Sequence, residues 1–287
     1  MSKQAVRSIS ETALWVAYYR GIESERPNPL FHDPYARRLA GERGEQIARD
    51  LGGRSSASWS FSVRTATIDN LVLRAVANGV NAVINVAAGL DTRPYRLPLH
   101  GGVQWIELDL SETISYKQEL LSSETPRCRL ERVALDLLDI NKRCSLFTRI
   151  NDGSAKVLIL TEGLLVYWKP EEVSALAADL HAQPHFHYWI TNISSPAVVQ
   201  RSKKLWGKQL NAAQVPMHFA AGPEFFRPSG WVLEEFRDVF QEGRRLGREM
   251  PAAWVLHAAE WMFPLMFERT MRRFRSGCMM LKRADLS

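Results

Sequence analysis

Residues Ala82 to Leu97 read AVINVAAGLDTRPYRL, and this stretch decides the fold. Ala82, Val83, Ile84, Val86, Ala87 and Ala88 form a short, partly β-branched apolar run, the pattern of a strand covered on both faces. Gly89 then lets the chain turn and brings its backbone close to whatever lies above it. Asp91, Thr92 and Arg93 follow with an acceptor, a hydroxyl and a fork of donors. A strand that stops at such a turn and continues into a helix is where doubly wound α/β folds place a cofactor. A tight turn by itself also needs a glycine, so the next strand has to add weight.

That strand, Val103 to Leu110, reads VQWIELDL and ends in Glu107 and Asp109, about 20 residues past the turn. Acids at this place accept hydrogen bonds from ribose hydroxyls. The turn carries neither the G-x-G-x-x-G nor the G-x-x-x-x-G-K-[ST] pattern, and Pro94 removes one N–H donor. A pyrophosphate or triphosphate needs a glycine-rich backbone cradle, so the expected ligand is a nucleoside cofactor without phosphates, S-adenosylmethionine being the common one. Ala87, Gly89, Asp91, Arg93, Glu107 and Asp109 are the candidate contacts from these two segments.

Strand and helix continue to alternate, as a doubly wound sheet requires. A helix is expected over Glu112 to Leu121 and a third strand over Leu130 to Leu135, ending at Asp136. Asp136 suits the adenine amino group, with Leu137 covering the ring; an N-cap role for this Asp is the alternative. A fourth strand, Val157 to Leu160, runs into Thr161-Glu162-Gly163, which sets Glu162 on the sulfonium side of the cofactor. Pro170 opens the helix EEVSALAADL, and HYWITNI, His187 to Ile193, alternates as a fifth strand.

Before the sheet, helices are expected over Glu11 to Tyr19 and Ala36 to Leu51, a Gly/Ser loop over Gly52 to Trp59, and a further helix over Val63 to Ala77. After the fifth strand, Pro196 to Leu210 reads as helix, Pro216 to Pro228 as a Phe-rich loop, Trp231 to Phe240 as helix, and Gly277 to Lys282 as an edge or penultimate strand.

Four segments, NVAAGLDTRPYRL, IELDLSETISYKQELL, ALDLLD and TEGLLVYWKPEEV, resemble in order those of the leucine carboxyl methyltransferase family, a branch of the class I S-adenosylmethionine-dependent methyltransferases. The likeness runs from about Glu11 to Pro170 and more weakly to the end, and points to the bacterial-type branch acting on small molecules. It implies a Rossmann-like seven-stranded sheet, a helical N-terminal cover, an insertion after the fifth strand, and methyl transfer to a carboxylate or related oxygen. It also implies cofactor contacts from Arg64, Gly89, Asp109, Asp136, Leu137 and Glu162, with Arg64 reaching the cofactor's carboxylate. Where the family usually has Gly-Ala-Gly, this chain has Ala87-Ala88-Gly89.

The 287 residues, 46% hydrophobic, suit one large domain: a helical cover over 1–60, a cofactor-binding core over 61–195 and a substrate-shaping segment over 196–287. Three cysteines with no C-x-x-C pair argue against a disulfide framework or a zinc site, and no apolar leader or transmembrane-length run is present, so a cytoplasmic enzyme without a resident metal is expected. The net charge of +6 raises nucleic-acid binding, but apart from Arg244, Arg245, Arg248 and Arg269, Arg272, Arg273, Arg275 the basic residues are dispersed. A small carboxylic acid is the expected partner, not nucleic acid or membrane.

A carboxylate acceptor, with a pKa of about 4, is ionised at neutral pH and needs no general base, whereas a phenol or alcohol does. His181, His185, His187, His218, His257 and Tyr167 are the candidates, none with an identifiable partner, so no catalytic base is named; Tyr167 is the candidate substrate contact. The aromatic segment AEWMFPLMFERTM, Ala259 to Met271, is expected to help form a pocket for a flat or lipophilic acid. Competing readings are methylation of a protein C-terminus or a tRNA-linked carboxylate, a phenol or alcohol O-methyltransferase, an NAD-dependent dehydrogenase, and a non-catalytic cofactor-binding protein.

Overall fold

In a computed structural model, residues 9–50, 58–212 and 217–286 are described. Seven strands form one mixed sheet in the order β3-β2-β1-β4-β5-β7-β6. The strands are β1 (Ala82–Val86), β2 (Gln104–Asp109), β3 (Arg129–Ala134), β4 (Val157–Thr161), β5 (Phe186–Ser194), β6 (Trp231–Asp238) and β7 (Ser276–Arg283). The first five pair in parallel, and β7 runs antiparallel between β5 and β6. The chain order reverses at β1, whose neighbours are β2 and β4, which makes the ends of these three strands the crevice of the sheet.

β1 and β4 are buried along their whole length and are apolar apart from Asn85 and Thr161, whose side chains pair with Asp91 and Trp189. Alternate residues feed opposite faces. Val83 and Leu158 join Trp105 under Ile68, Leu71 and Val72 of helix α3 (Ser58–Ala77). Ile84 and Ile159 pack with Phe147 of a helix over Ile140–Asp152 and with Val173 and Leu176 of a helix over Pro170–His181. Each fully buried aliphatic side chain stabilises the fold by about 1.5–3 kcal/mol. The helix starts are written locally: the Asp139 carboxylate accepts from Lys142 N–H, and the Glu172 carboxylate from Lys169 N–H ahead of Pro170.

Helices α1 (Ile9–Ser24) and α2 (Ala36–Asp50) pack together over the carboxyl edge of the sheet. Their close crossing depends on Gly44, where a Cβ would stand 2.6 Å from the Leu14 carbonyl oxygen. Trp15 and Tyr19 of α1 meet Phe61 of α3 edge-on at 5.0 Å and stacked at 5.5 Å, which fixes the cover on the core.

Several expectations change. Ser58 and Trp59 belong to α3 and not to a loop; residues 51–57, including Leu51, lie outside the described residues, as does Pro216. Trp231 to Phe240 is not a helix: Trp231–Asp238 is strand β6, and a helix begins only at Val239. Its Glu234, Glu235 and Arg237 gave the segment a helical composition, yet those charges suit an edge strand, where they face solvent or pair outward. Lys282 bridges Glu234 at 2.8 Å, and Arg74 bridges Glu235. Gly277 to Lys282 is the penultimate strand, and part of the Phe-rich loop, Pro223–Ser229, is a 3-10 turn. Among the described residues, no helix is long and apolar enough to cross a membrane.

Candidate cofactor site

The chain leaves β1 under strain and turns upward. Ala87 holds φ at 54° and Gly89 at 50°, the left-handed region that costs a side-chain-bearing residue about 1–2 kcal/mol. At Gly89 a Cβ would meet the Cβ of Ala13 at 3.2 Å, so the cover as well as the turn requires glycine. This turn forms the floor of a cavity of about 310 Å³. One wall comes from Thr12, Ala13, Trp15, Val16 and Arg20 of α1, another from Phe61 and Arg64 of α3, and the rest from the ends of β1, β2, β3 and β4.

Nine of the residues singled out by sequence line it: Arg64, Ala87, Gly89, Asp91, Asp109, Asp136, Leu137, Glu162 and Tyr167. Two do not. Glu107 is fully buried beneath the sheet edge, where its carboxylate accepts from Lys117 Nζ at 2.7 Å and from Arg132 Nε at 3.0 Å. The alternation of β2 explains this: Glu107 and Asp109 share a face, but Asp109 stands at the strand's end where the cavity opens, and Glu107 stands inside the packed sheet. Arg93 also stays below the cavity surface, donating through Nε to Asp69 at 2.7 Å and through one terminal nitrogen to Asp91 at 2.7 Å and Glu162 at 2.9 Å. It positions carboxylates and does not face the ligand space.

A buried ionic network surrounds that arginine. Asp69 also accepts from Arg96, Asp33 accepts from Arg20 at 2.8 Å and from the Thr92 hydroxyl at 2.7 Å, and Arg20 donates to the Leu90 carbonyl. Arg64 donates to the second oxygen of Glu162 at 2.8 Å. Burial pushes the Glu162 carboxyl up, but Arg93 and Arg64 outweigh it and hold it below the usual carboxylate range. The Asp91 carboxyl is held down against its burial by Arg93, Lys117 and Arg96, and the Arg93 guanidinium, also opposed by burial, is raised by Asp91, Glu162 and Asp69. Arg20, Asp33 and Asp69 escaped the sequence reading, because each looks like an ordinary polar helix or loop position until partners 13 to 70 residues away arrive.

Four arginines and four carboxylates cancel within this network, which leaves Asp109 and Asp136 as the surplus charge at the cavity. The Asp109 carboxylate accepts from Gly89 N–H at 2.7 Å and from Leu110 N–H at 2.8 Å, one on each oxygen, and each oxygen keeps a lone pair for a ligand hydroxyl. The buried hydroxyl of Thr113, beside it on the cavity wall, has no hydrogen-bond partner among the described residues. Exposed Leu110 and Leu138 stand at the cavity with Leu135 and Leu137, an apolar surround for a flat ring. Ribose acceptors, an unsatisfied hydroxyl, an apolar slot and a net negative lining fit an adenine nucleoside bearing a cation, and nothing in the turn resembles a phosphate cradle.

Half-buried Tyr167 hydrogen-bonds Thr12 across the cavity; burial raises its phenol pKa, opposed by Thr12 and Arg64. None of His181, His185, His187, His218 and His257 lines this cavity. Nor does any residue of Ala259 to Met271: two short helices, Ala253–Met262 and Pro264–Arg273, pack on each other and leave Trp261 85% and Leu265 83% exposed, so the expected lipophilic pocket is not built from them.

This sheet order, with its penultimate antiparallel strand and a phosphate-free cavity at the reversal of strand order, defines a class: the α/β methyltransferases of class I. The chain belongs to the leucine carboxyl methyltransferase family, whose sequence model matches residues 13–181. A Streptomyces avermitilis protein with the provisional name of an S-adenosyl-L-methionine-dependent methyltransferase is 33% identical over 184 residues, covering 60% of this chain and 64% of its own. One from Parafrankia sp., provisionally named likewise, is 34% identical over 186 residues, covering 60% of this chain and 58% of its own. The matches thus span about three fifths of these curated relatives. Among solved structures, a DUF574 family protein from Streptomyces avermitilis superposes with a TM-score of 0.55 at 14% identity, covering 95% of this chain and 97% of that one. A Thermobifida fusca protein, provisionally named a methyltransferase, gives 0.53 at 12% identity over 82% and 85%. Both likenesses concern the fold.

Proposed function

We propose that this chain is a single-domain, cytoplasmic O-methyltransferase that uses S-adenosylmethionine to esterify a carboxylate of a small molecule in secondary metabolism. The observation that carries the reading is Glu162, ionised between Arg64 and Arg93 at the end of β4, facing Asp109 across a cavity without a phosphate cradle. Bound there, the cofactor supplies an electrophilic methyl group on a sulfonium.

Each wall then has a task. Asp109 and the Thr113 hydroxyl hold the ribose, and Asp136 receives the adenine amino group while Leu110, Leu137 and Leu138 enclose the ring. Glu162 holds the amino acid's ammonium and Arg64 its carboxylate, for which a planar guanidinium is suited. Ala87 and Gly89 let the backbone approach the methionyl part closely. α1, Phe61 and Tyr167 exclude water from the side where an acceptor oxygen must line up with the methyl group, and alignment is the main catalytic contribution. The absence of a histidine from this cavity, among the described residues, favours an acceptor that is already an anion.

The test is mass spectrometry of products after incubation with deuterated-methyl cofactor and a panel of carboxylic acids, phenols and alcohols. The expected products are methyl esters, which alkali hydrolyses. Transfer confined to phenols or alcohols refutes the carboxylate reading. A rise in melting temperature with NAD but not with S-adenosylmethionine refutes the cofactor.

A further inference from the structure

A second cavity, of about 400 Å³, includes Pro196, Val199, Gln200, Lys203, His218 and Arg273 in its walls. It lies one strand over from the first on the same edge of the sheet. β4 ends in the cofactor cavity at Glu162 and Gly163, and its parallel neighbour β5 ends at Ser194, just before Pro196. Gly163 N–H donates to the Asn192 side chain of β5 at 2.7 Å. On the other side, His218 and Phe219 N–H both donate to the Val166 carbonyl, at 2.8 and 3.2 Å, between Leu164 and Tyr167 of the cofactor cavity. The two spaces thus lie on neighbouring strand ends, with the segment Leu164 to Tyr167 between them and no lining residue in common.

Their charge differs. Among the described residues no acid lines the second cavity, and neither Lys203 nor Arg273, both exposed side chains, has a carboxylate partner. Elsewhere the chain pairs its arginines heavily: Arg20, Arg64, Arg93, Arg96, Arg143 and Arg248 all meet carboxylates. Arg273 is held at this place by its main chain, whose carbonyl accepts from the Ser195 hydroxyl at 2.8 Å. An ammonium, a guanidinium, an imidazole and the Gln200 amide around one hollow form a donor set for an anion. All of these residues lie beyond residue 181, where the match to the family's sequence model ends.

We infer that this cavity holds a second anionic group, carboxylate or phosphate, at the far end of the acceptor, so that the preferred substrates are acids carrying two negative charges. The inference rests on the methyltransferase reading above.

The experiment compares methyl transfer to linear α,ω-dicarboxylic acids and to monocarboxylic acids of equal length, in the full chain and in the double variant Lys203→Gln, Arg273→Gln. The expected result is a kcat/KM about tenfold or more higher for diacids, carried by KM, with that ratio collapsing toward one in the variant and returning with Lys203→Arg, Arg273→Lys. A ratio near one in the unaltered chain, or one that survives in the variant, overturns the inference. Calorimetry separates the sources: inorganic phosphate that binds and is lost in the variant, with no diacid preference, marks a free-anion site and also overturns it. If S-adenosylmethionine binds but no acid is methylated, the functional reading has failed by itself; titration of a diacid then decides the cavity, since binding lost in the variant supports the anion site and no binding refutes it.

Discussion

Replacing Arg93 with methionine removes one buried cation from among three carboxylates, and the structure gives the scale of the loss. Asp69 retains Arg96, and Glu162 retains Arg64. Asp91 retains only the Asn85 amide at 2.7 Å and the main-chain N–H of residue 93 at 2.8 Å. One carboxylate is therefore left buried without a direct cationic partner, a change that costs about 3–5 kcal/mol. At about 2–4 °C per kcal/mol for a chain of this size class, the melting temperature falls by roughly 6–20 °C. The pH dependence identifies the cause. In the unaltered chain Asp91 and Glu162 have depressed folded pKa values, so their stabilisation is full above the ordinary carboxylate range and is lost as pH falls through the folded values. In Arg93→Met the strongest of the cations that hold the Asp91 carboxyl down is gone, so its pKa rises toward the usual range and acidification from pH 7 toward about 4 costs the variant less than the unaltered chain. Calorimetric or fluorescence melts across that range should show the gap between the two proteins narrowing as pH falls. A fall of less than about 6 °C, or a gap that does not change with pH, refutes the network as a source of stability.

Asp109→Ala and Asp136→Ala should each weaken S-adenosylmethionine binding by about 1–3 kcal/mol, and unchanged calorimetric affinity in both would remove the ribose and adenine assignments. Thr113→Val keeps the shape of the wall but removes its unpartnered hydroxyl; the expected loss of affinity is about 0.5–1.5 kcal/mol with no loss of thermal stability, and equal affinity argues that the hydroxyl meets no ligand. Gly89→Val combines a left-handed φ with a Cβ 3.2 Å from Ala13, so cofactor binding should be lost together with about 1–2 kcal/mol of stability; retained activity would place the cofactor elsewhere.

The centre of the fold was legible because its strands are short, apolar and bounded by turn residues: β1 and β4 are buried throughout, as their sequences require. β6 was not, because an edge strand with one wet face can carry the composition of a helix, and only its pairing with β7 decides between them. In the site, the residues at strand ends were readable from position: Asp109, Asp136 and Glu162 all reach the cavity. Glu107 was misplaced because two acids one pleat repeat apart look equivalent in sequence, while the structure gives one of them a buried lysine. Arg20, Asp33 and Asp69 carry no local signature, since their meaning comes from long-range partners.

The ionic network beneath the cavity also bears on how the chain folds. It is assembled from α1, the segment around Asp33, α3 and the turn after β1, with β4 contributing Glu162. Its partners lie 13 to 69 residues apart in the chain, so none of these segments forms the network by itself. A collapsed intermediate can hold much of the sheet while its arginines and carboxylates still face water, and it then has no ligand site. Ligand binding during refolding therefore reports the assembly of this network together with the strand ends, and not the formation of the sheet by itself.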